Sequence, residues 1–263
     1  MSDTTDYGTF GDLHVGLGDD FVAIAEIRRP PNNFFDRALI SDIAEAFEKL
    51  DGDDACRAIV LAAEGKHFCA GANFGAKQSA TTDDSGRHLY DEAVRLFSTR
   101  KPVVAAVHGA AIGGGLGLAL MPDFRVAAPE ARFSANFARL GFHHGFGLSV
   151  TLPRLVGQQA AAELLYTGRR LKGEEAHAMG LCDRLVAHDK VRDEAHGLAR
   201  EIAISAPLAV ESIRETLRAG IADDIRRATD REKAEQDRLQ ATSDFREGTR
   251  AMGERREPRF ERR

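Results

Sequence analysis

Cysteine is scarce in this sequence. The 263 residues contain three, at Cys56, Cys69 and Cys182. Their spacing matches neither a disulfide framework nor a paired metal-binding motif. Unpaired cysteines are typical of proteins in the reducing cytoplasm, and we predict a cytoplasmic protein. The low cysteine count therefore argues against a secreted, disulfide-stabilised fold and against a cysteine-based metal centre.

Long hydrophobic runs and a large excess of one charge are also missing. The most apolar segments, such as VVAAV and LGLALM, are interrupted by Gly, His, Pro or Asp well short of a membrane span. The opening MSDTTDYG is polar and does not resemble a secretory leader, and residues 1–10 are predicted to form a frayed tail. A net charge of −5 gives no support to binding of nucleic acid or of an anionic membrane.

The sequence does have the composition of a globular domain, with 43% hydrophobic and 29% charged residues. Strand and helix patterns alternate in its first half. They predict a β-hairpin at 13–27, a helix at 36–50, a strand at 57–63, a helix at 89–97, a strand in KPVVAAVHG, a helix opening at IGGGLG, and short strands in FRVAA and RFSAN. The pattern after about residue 147 is mostly helical. We therefore predict an α/β fold with a helical C-terminal segment.

Three consecutive glycines stand in the IGGGLG motif at residues 112–117. A dinucleotide-binding GxGxxG motif is excluded, because its final glycine would fall on Leu118 if the motif began at Gly113 and on Leu120 if it began at Gly115. A Walker loop is excluded because no GK[ST] follows. A strand, a glycine turn and a helix start would present backbone N–H groups to developing negative charge. Close packing of the helix through small residues is the alternative that the glycines alone leave open.

A second loop of this kind, FCAGAN at residues 68–73, also follows a predicted buried strand. Two backbone N–H donors that converge from such loops would form an oxyanion hole. Cys69 lies within this loop, and we expect it to be a packing residue and not a nucleophilic thiol.

Two other motifs point only weakly to chemistry. GLSVT resembles a nucleophile elbow, but Thr151 stands where that motif needs glycine, which leaves Ser149 a weak nucleophile candidate. The neighbouring His143 and His144 lack the spacing of a zinc-binding motif, and we predict no metal site.

The order and spacing of the motifs closely resemble the crotonase superfamily, the enoyl-CoA hydratase/isomerase family. The resemblance rests on HFCAGAN, KPVVAAVHGAAIGGGLGLAL, FSANFARLGFHHGFG and LPRLVG, and it extends from RRPPNN to SDFREGTRAMGERREPRF. It implies an α/β spiral of ββα units over residues 1–200 and a helical trimerisation segment over residues 201–263. It also implies a homotrimer or a dimer of trimers.

The resemblance implies an enzyme of acyl-CoA thioesters, either a lyase, an isomerase or a hydrolase, with coenzyme A as part of the substrate and no separate cofactor. The backbone N–H groups of Ala72 and Gly114 correspond to the family's two oxyanion donors. The two usual catalytic glutamates are replaced by Gly117 and Phe137. Each positioned acid or base supplies about 10²–10⁴-fold, so hydration by the two-glutamate mechanism is not expected. A non-catalytic acyl-CoA-binding protein is the alternative.

A replacement base has to come from elsewhere in the chain. His144, and after it His143, are the candidates because they follow the Phe137 strand and because histidine titrates near neutral pH. Tyr90 and Asp91 are further candidates from a segment that lines the acyl pocket in the family. The resemblance also implies residues that contact the substrate or its CoA part, namely Asn33, Ala70, Gly71, Asn73, Gly113 and Phe137.

Overall fold

The computed structural model describes residues 4–73 and 86–263. Its strands are β1 (Thr4–Phe10), β2 (Leu13–Gly18), β3 (Val22–Ile27), β4 (Ala58–Ala63), β5 (Val103–Val107), β6 (Ala110–Ile112), β7 (Phe124–Ala127), β8 (Arg132–Ser134), β9 (Leu171–Lys172) and β10 (Arg184–Leu185). Its helices are α1 (Arg37–Asp51), α2 (Leu89–Phe97), α3 (Gly114–Leu120), α4 (Leu148–Thr167), α5 (Gly173–Ala178), α6 (Val191–Ala203), α7 (Pro207–Leu217), α8 (Ile221–Gln240) and α9 (Ser243–Gly253). This order confirms the predicted α/β class with a helical C-terminal part.

Seven strands of the described residues form one sheet in the order β1-β2-β3-β4-β5-β7-β10. β1, β2 and β3 are antiparallel neighbours, whereas β3, β4, β5, β7 and β10 run parallel. A small second sheet has the order β6-β8-β9. Because the carboxyl ends of parallel strands lie at one edge of a sheet, the segments that follow β4 and β5 leave the sheet side by side.

Strand β1 corrects the prediction of a frayed tail over residues 1–10. Residues 4–10 pair antiparallel with β2, with Thr5 opposite Leu17 and Phe10 opposite Leu13. Tyr7 and Phe10 are partly buried against the core, while Thr5 and Asp6 are exposed. Because most residues of this exposed edge strand are polar, the sequence pattern did not indicate that Tyr7 and Phe10 pack against the core.

The parallel strands are buried on both faces. In β4, Ile59 and Leu61 belong to the larger core cluster, which also includes residues of α1, α2, α3 and α4. Val60 belongs to a smaller cluster on the opposite face, where it packs with Val191 and Ala195 of α6. A continuous apolar run is typical of such a strand, and this one was predicted correctly. All three cysteines are buried as free thiols.

The C-terminal helices differ in what they cover. α6 packs on the parallel sheet, so the predicted division at residue 200 falls inside a helix of the core. α8 buries Ile225 and Glu232, whereas α7 leaves Leu208 and Leu217 largely exposed. The predicted trimer or dimer of trimers stays a prediction. Within the described residues, no helix has the length and apolarity needed to cross a membrane.

Candidate active site

The FCAGAN loop runs alongside β6. Cys69 N–H donates to the Ala110 carbonyl at 2.9 Å, and Ile112 N–H donates to the Cys69 carbonyl at 3.1 Å. This short parallel bridge holds the segment after β4 against the segment that leads into the glycine run. Cys69 has no exposed surface, and burial raises the pKa of its thiol to about 12, as expected of a packing residue.

Gly71 lies where the two segments approach most closely. Its φ is +85°, and a Cβ atom added there would lie 2.6 Å from the Ile112 carbonyl oxygen and 3.9 Å from the Gly114 nitrogen. Ala72 follows directly on this close contact between the two segments. Among residues 4–73 and 86–263, no oxygen accepts a hydrogen bond from the N–H of Ala72 or of Gly114. Neither predicted oxyanion donor therefore has an acceptor among these residues, and their pairing stays a prediction.

The three glycines of the run each have a different neighbour. Gly113 has a φ of +58° and donates its N–H to the Ser134 carbonyl at 2.8 Å, immediately before α3 begins. A Cβ atom on Gly114 would lie 2.2 Å from the Phe35 ring, and one on Gly115 would lie 2.1 Å from the Cys69 carbonyl oxygen. Close packing therefore accounts for Gly114 and Gly115, and the free N–H of Gly114 is compatible with it.

Aromatic side chains fill the space beside Gly117, which the sequence resemblance predicts to stand at a glutamate position. A Cβ atom on Gly117 would lie 2.6 Å from the Phe146 Cβ and 2.8 Å from its ring. Phe146 is buried, has a φ of +62°, and makes an edge-to-face contact with Phe35 at 5.8 Å between ring centroids. The space next to Gly117 is thus apolar and occupied.

Phe137, which the resemblance predicts to stand at the second glutamate position, faces the glycine run. Its ring lies 3.7 Å from where a Cβ atom on Gly113 would be, and only 7% of the residue is exposed. It also packs against Phe142, with 5.4 Å between ring centroids. The space beside Gly113 is therefore lined by aromatic hydrocarbon.

Gly117→Ala is expected to lower the free energy of unfolding by about 1–3 kcal/mol, because the added methyl group overlaps the Phe146 Cβ and ring. Gly197→Ala is the matched control. It is also a helical glycine, in α6, but no described atom lies within 4 Å of its added Cβ. That control should be neutral or stabilising by up to about 1 kcal/mol. Urea unfolding of both variants tests the contrast, and equal stabilities would contradict the packing.

The candidate bases lie on the loop that precedes α4. The His143 and His144 rings stack with 4.1 Å between centroids, and His143 Nδ1 lies 2.8 Å from the His144 carbonyl oxygen. Burial, with a smaller contribution from His143, lowers the pKa of His144 to about 4. His144 is therefore a neutral imidazole at pH 7. Phe146, two residues later, ties this loop to α3.

A buried carboxylate on α8 joins this loop, and the sequence analysis missed it. Glu232 has no exposed surface and accepts the N–H of Gly147 at 2.8 Å and the hydroxyl of Ser149 at 2.7 Å. The same hydroxyl lies 2.7 Å from His144 Nε2. The signal was present in the sequence, because Ile225 and Glu232 belong to one helical stripe within a charge-rich segment.

Two further candidates have structural roles. Tyr90 is buried and donates its hydroxyl to Gln236 of α8 at 2.8 Å, and burial raises the pKa of the phenol. Gln236 in turn donates to the His143 carbonyl at 3.0 Å. Asp91 is exposed and caps α2 by accepting the N–H of His88 at 2.9 Å. A role of either residue as a base stays a prediction.

The predicted CoA contacts divide into two groups. Asn33 is fully buried, donates from its amide to the carbonyls of Glu64 and His67, and accepts the N–H of Arg29. It therefore holds its own turn against the segment after β4, a structural role in place of the predicted ligand contact.

Ala70 lies at the edge of an open space. It lines a cavity of about 190 Å³, together with the cationic side chains Arg132 and Arg170. Gly71 and Gly113 shape the backbone as described above. Asn73 is half-buried at the end of the first described segment.

Comparison with known proteins gives concordant matches. The family model described as enoyl-CoA hydratase/isomerase matches residues 19–263. A crotonyl-CoA hydratase of Syntrophomonas wolfei is 33% identical over 247 residues, covering 92% of this chain and 95% of that protein. A carnitinyl-CoA dehydratase of Proteus mirabilis is 36% identical over 194 residues, covering 73% and 74%.

A solved structure matches equally well. The crystal structure of an enoyl-CoA hydratase/isomerase from Pseudoalteromonas atlantica has a TM-score of 0.86 and 30% identity. The match covers 95% of this chain and all of that one.

Proposed function

Because this chain belongs to the enoyl-CoA hydratase/isomerase family, we propose that it is an acyl-CoA thioester enzyme whose oxyanion hole consists of the Ala72 and Gly114 N–H groups. The observation that carries this proposal is the close approach of the two loops at Gly71, next to two N–H groups that have no acceptor among the described residues. Such donors stabilise the negative charge that develops on a thioester oxygen, and each is worth about 10²–10³-fold in kcat.

The acid and base groups in this proposal differ from the family's two glutamates. Gly117 and Phe137 offer no proton-transferring group, and Phe146 occupies the space that a side chain at position 117 would need. His144 is the proposed base, with His143 as the stacked second candidate. Because burial lowers the pKa of His144, its imidazole stays unprotonated near neutral pH and keeps a nitrogen lone pair that can receive a proton.

An acyl-CoA-binding protein without catalysis is the second candidate. The aromatic lining by Phe35, Phe137 and Phe146 favours it, because this lining replaces both expected carboxylates with hydrocarbon. The names of the relatives favour the enzyme, since they refer to hydratases and a dehydratase.

The experiment is an end-point mass-spectrometric assay with saturated, enoyl and 3-oxoacyl CoA thioesters, each beside a reaction without protein. We expect one of three products, and the product identifies the reaction class. Water addition raises the mass by 18, CoA release gives free CoA, and a shifted double bond gives an isomer of unchanged mass that is separated by chromatography. Unchanged thioesters together with CoA ligands retained in native mass spectrometry would establish the binding protein instead. If nothing turns over and nothing binds, the oxyanion-hole proposal fails for these thioesters.

A further inference from the structure

Glu232 is a buried carboxylate with a complete set of hydrogen-bond donors. Its Oε2 accepts the Gly147 N–H at 2.8 Å, and its Oε1 accepts the Ser149 N–H at 3.1 Å and the Ser149 hydroxyl at 2.7 Å. A buried carboxylate without partners would be strongly unfavourable, so these three bonds are what allow Glu232 to lie on the inner face of α8.

The hydrogen-bond chain continues to His144. Its Nε2 lies 2.7 Å from Ser149 Oγ but 3.8 Å from Glu232 Oε1, so the serine bridges the imidazole and the carboxylate. The hydroxyl has one proton, and an ionised Glu232 receives it. His144 Nε2 must then carry a hydrogen and donate it to Ser149. Among the described residues, no hydrogen bond engages Nδ1, which keeps its lone pair.

We propose that His144, Ser149 and Glu232 form a proton relay in which His144 Nδ1 takes the substrate's proton and Glu232 is the terminal acceptor. This inference rests on the proposed function. It supplies the carboxylate that Gly117 and Phe137 lack, from a helix that the family resemblance assigns to assembly and not to chemistry.

The step balances as follows. The C–H bond next to the thioester carbonyl breaks, its electron pair forms the enolate held by the oxyanion hole, and the proton goes to His144 Nδ1. The Nε2 proton passes to Ser149 Oγ, and the hydroxyl proton passes to Glu232 Oε1. His144 ends as a neutral imidazole with hydrogen on Nδ1, and Glu232 ends protonated. Reversal of the same transfers returns the proton to another carbon of the substrate.

Burial gives the two end groups complementary properties. It lowers the pKa of His144 to about 4, so a lasting imidazolium is unfavourable in this loop. It raises the pKa of Glu232, against the opposing hydrogen bonds from Ser149 and Gly147, so the carboxylate accepts a proton more readily than an exposed one. The directions of the two pKa shifts therefore favour transfer of the proton from His144 through Ser149 to Glu232.

Neighbouring contacts keep the relay loop in place. Gln236, one helical turn after Glu232, donates to the His143 carbonyl, and Tyr90 donates to Gln236. Glu232 and Gln236 of α8 therefore both hold the loop that carries His144. The hydrogen bonds of the relay are thus positioned by rigid elements.

The test uses the full-length protein, with butanoyl-CoA in D₂O as the probe, and measures exchange of the α-hydrogen by mass spectrometry. Ser149→Ala and Glu232→Gln are each expected to lower kcat for exchange by about 10²-fold with little change in KM. Ser149→Thr keeps the hydroxyl and is expected to retain most of the activity. Thermal unfolding of each variant shows whether it is folded.

A second readout does not depend on turnover. In ¹⁵N-histidine NMR spectra at neutral pH, the relay requires the His144 tautomer with hydrogen on Nε2, and Ser149→Ala should disturb that tautomer while Ser149→Thr preserves it. Hydrogen on Nδ1 in the unmodified protein would overturn the relay.

The two proposals fail in different ways. Loss of the proposed function would appear as an unmodified protein that is inactive on every thioester, and this result would also remove the catalytic role of the relay. An active protein whose Ser149→Ala and Glu232→Gln variants exchange at the normal rate would overturn the relay alone.

Discussion

Replacing Gly71 by alanine is expected to lower kcat for thioester turnover by at least about 10²–10³-fold, the value of one oxyanion donor. The added Cβ would lie 2.6 Å from the Ile112 carbonyl oxygen, and backbone cannot yield as a flexible side chain does. Relief of this overlap has to separate the FCAGAN loop from the segment that carries Gly114. In the proposed oxyanion hole, the Ala72 and Gly114 N–H groups would then no longer converge on one oxygen.

Gly220→Ala is the matched control for this substitution. Gly220 has a similar φ of +77°, but no described atom lies within 4 Å of its added Cβ. Gly220→Ala is therefore expected to lose about 1–3 kcal/mol of folding stability through backbone strain, without a change at the site. Steady-state kinetics on the substrate found in the assay, with thermal unfolding beside them, make the comparison. Normal kcat in a folded Gly71→Ala variant would refute the assignment of the Ala72 donor.

The largest loss of stability is expected for Asp123→Ala, about 3–5 kcal/mol. The Asp123 carboxylate accepts hydrogen bonds from Arg214 Nε of α7 at 2.9 Å, from Nη1 of Arg218, which directly follows α7, at 3.0 Å, and from the Val103 N–H at 2.8 Å. Both guanidinium groups are largely buried. Removal of the carboxylate leaves two cations in a medium that hydrates them poorly, and α7 loses its tie to β5.

Asp224→Ala serves as the control for the ion pairs. Asp224 also has two arginine partners, Arg154 and Arg227, but their side chains are 47% and 72% exposed. Exposed pairs contribute about 0–1 kcal/mol, so this variant should remain close to the parent. Differential scanning calorimetry measures both, and each kcal/mol shifts Tm by roughly 2–4 °C in a chain of this size. Similar Tm values for the two variants would contradict the stabilising role of Asp123.

Local patterns predicted much of the fold and the two glycine loops of the candidate site. The continuous apolar runs predicted the buried strands β4 and β5, and helical spacing predicted α1 and α2. The two glycine loops were recognised because a turn between a strand and a helix is specified by neighbouring residues. Strand direction then brought them to one edge of the sheet, and this step follows from general rules of parallel sheets.

The rest of the site depends on contacts between distant parts of the chain. Glu232 lies 83 residues after Ser149, in a segment whose many exposed charges conceal the single buried one. The filling of the space beside Gly117 by Phe146 likewise depends on how the loop before α4 packs on α3. No periodicity encodes which buried polar group meets which loop, so these contacts required the folded arrangement.

The burial of the cysteines turns them into reporters of local opening. Burial raises the pKa of Cys56, Cys69 and Cys182 to about 12, so each thiol stays protonated and unreactive while its surroundings are closed. An alkylating reagent then modifies each one at the rate at which that part of the chain opens. Cys69 reports on the FCAGAN loop, Cys56 on the entry to β4, and Cys182 on the approach to β10. Peptide mapping of a time course would rank the three openings without the introduction of any label.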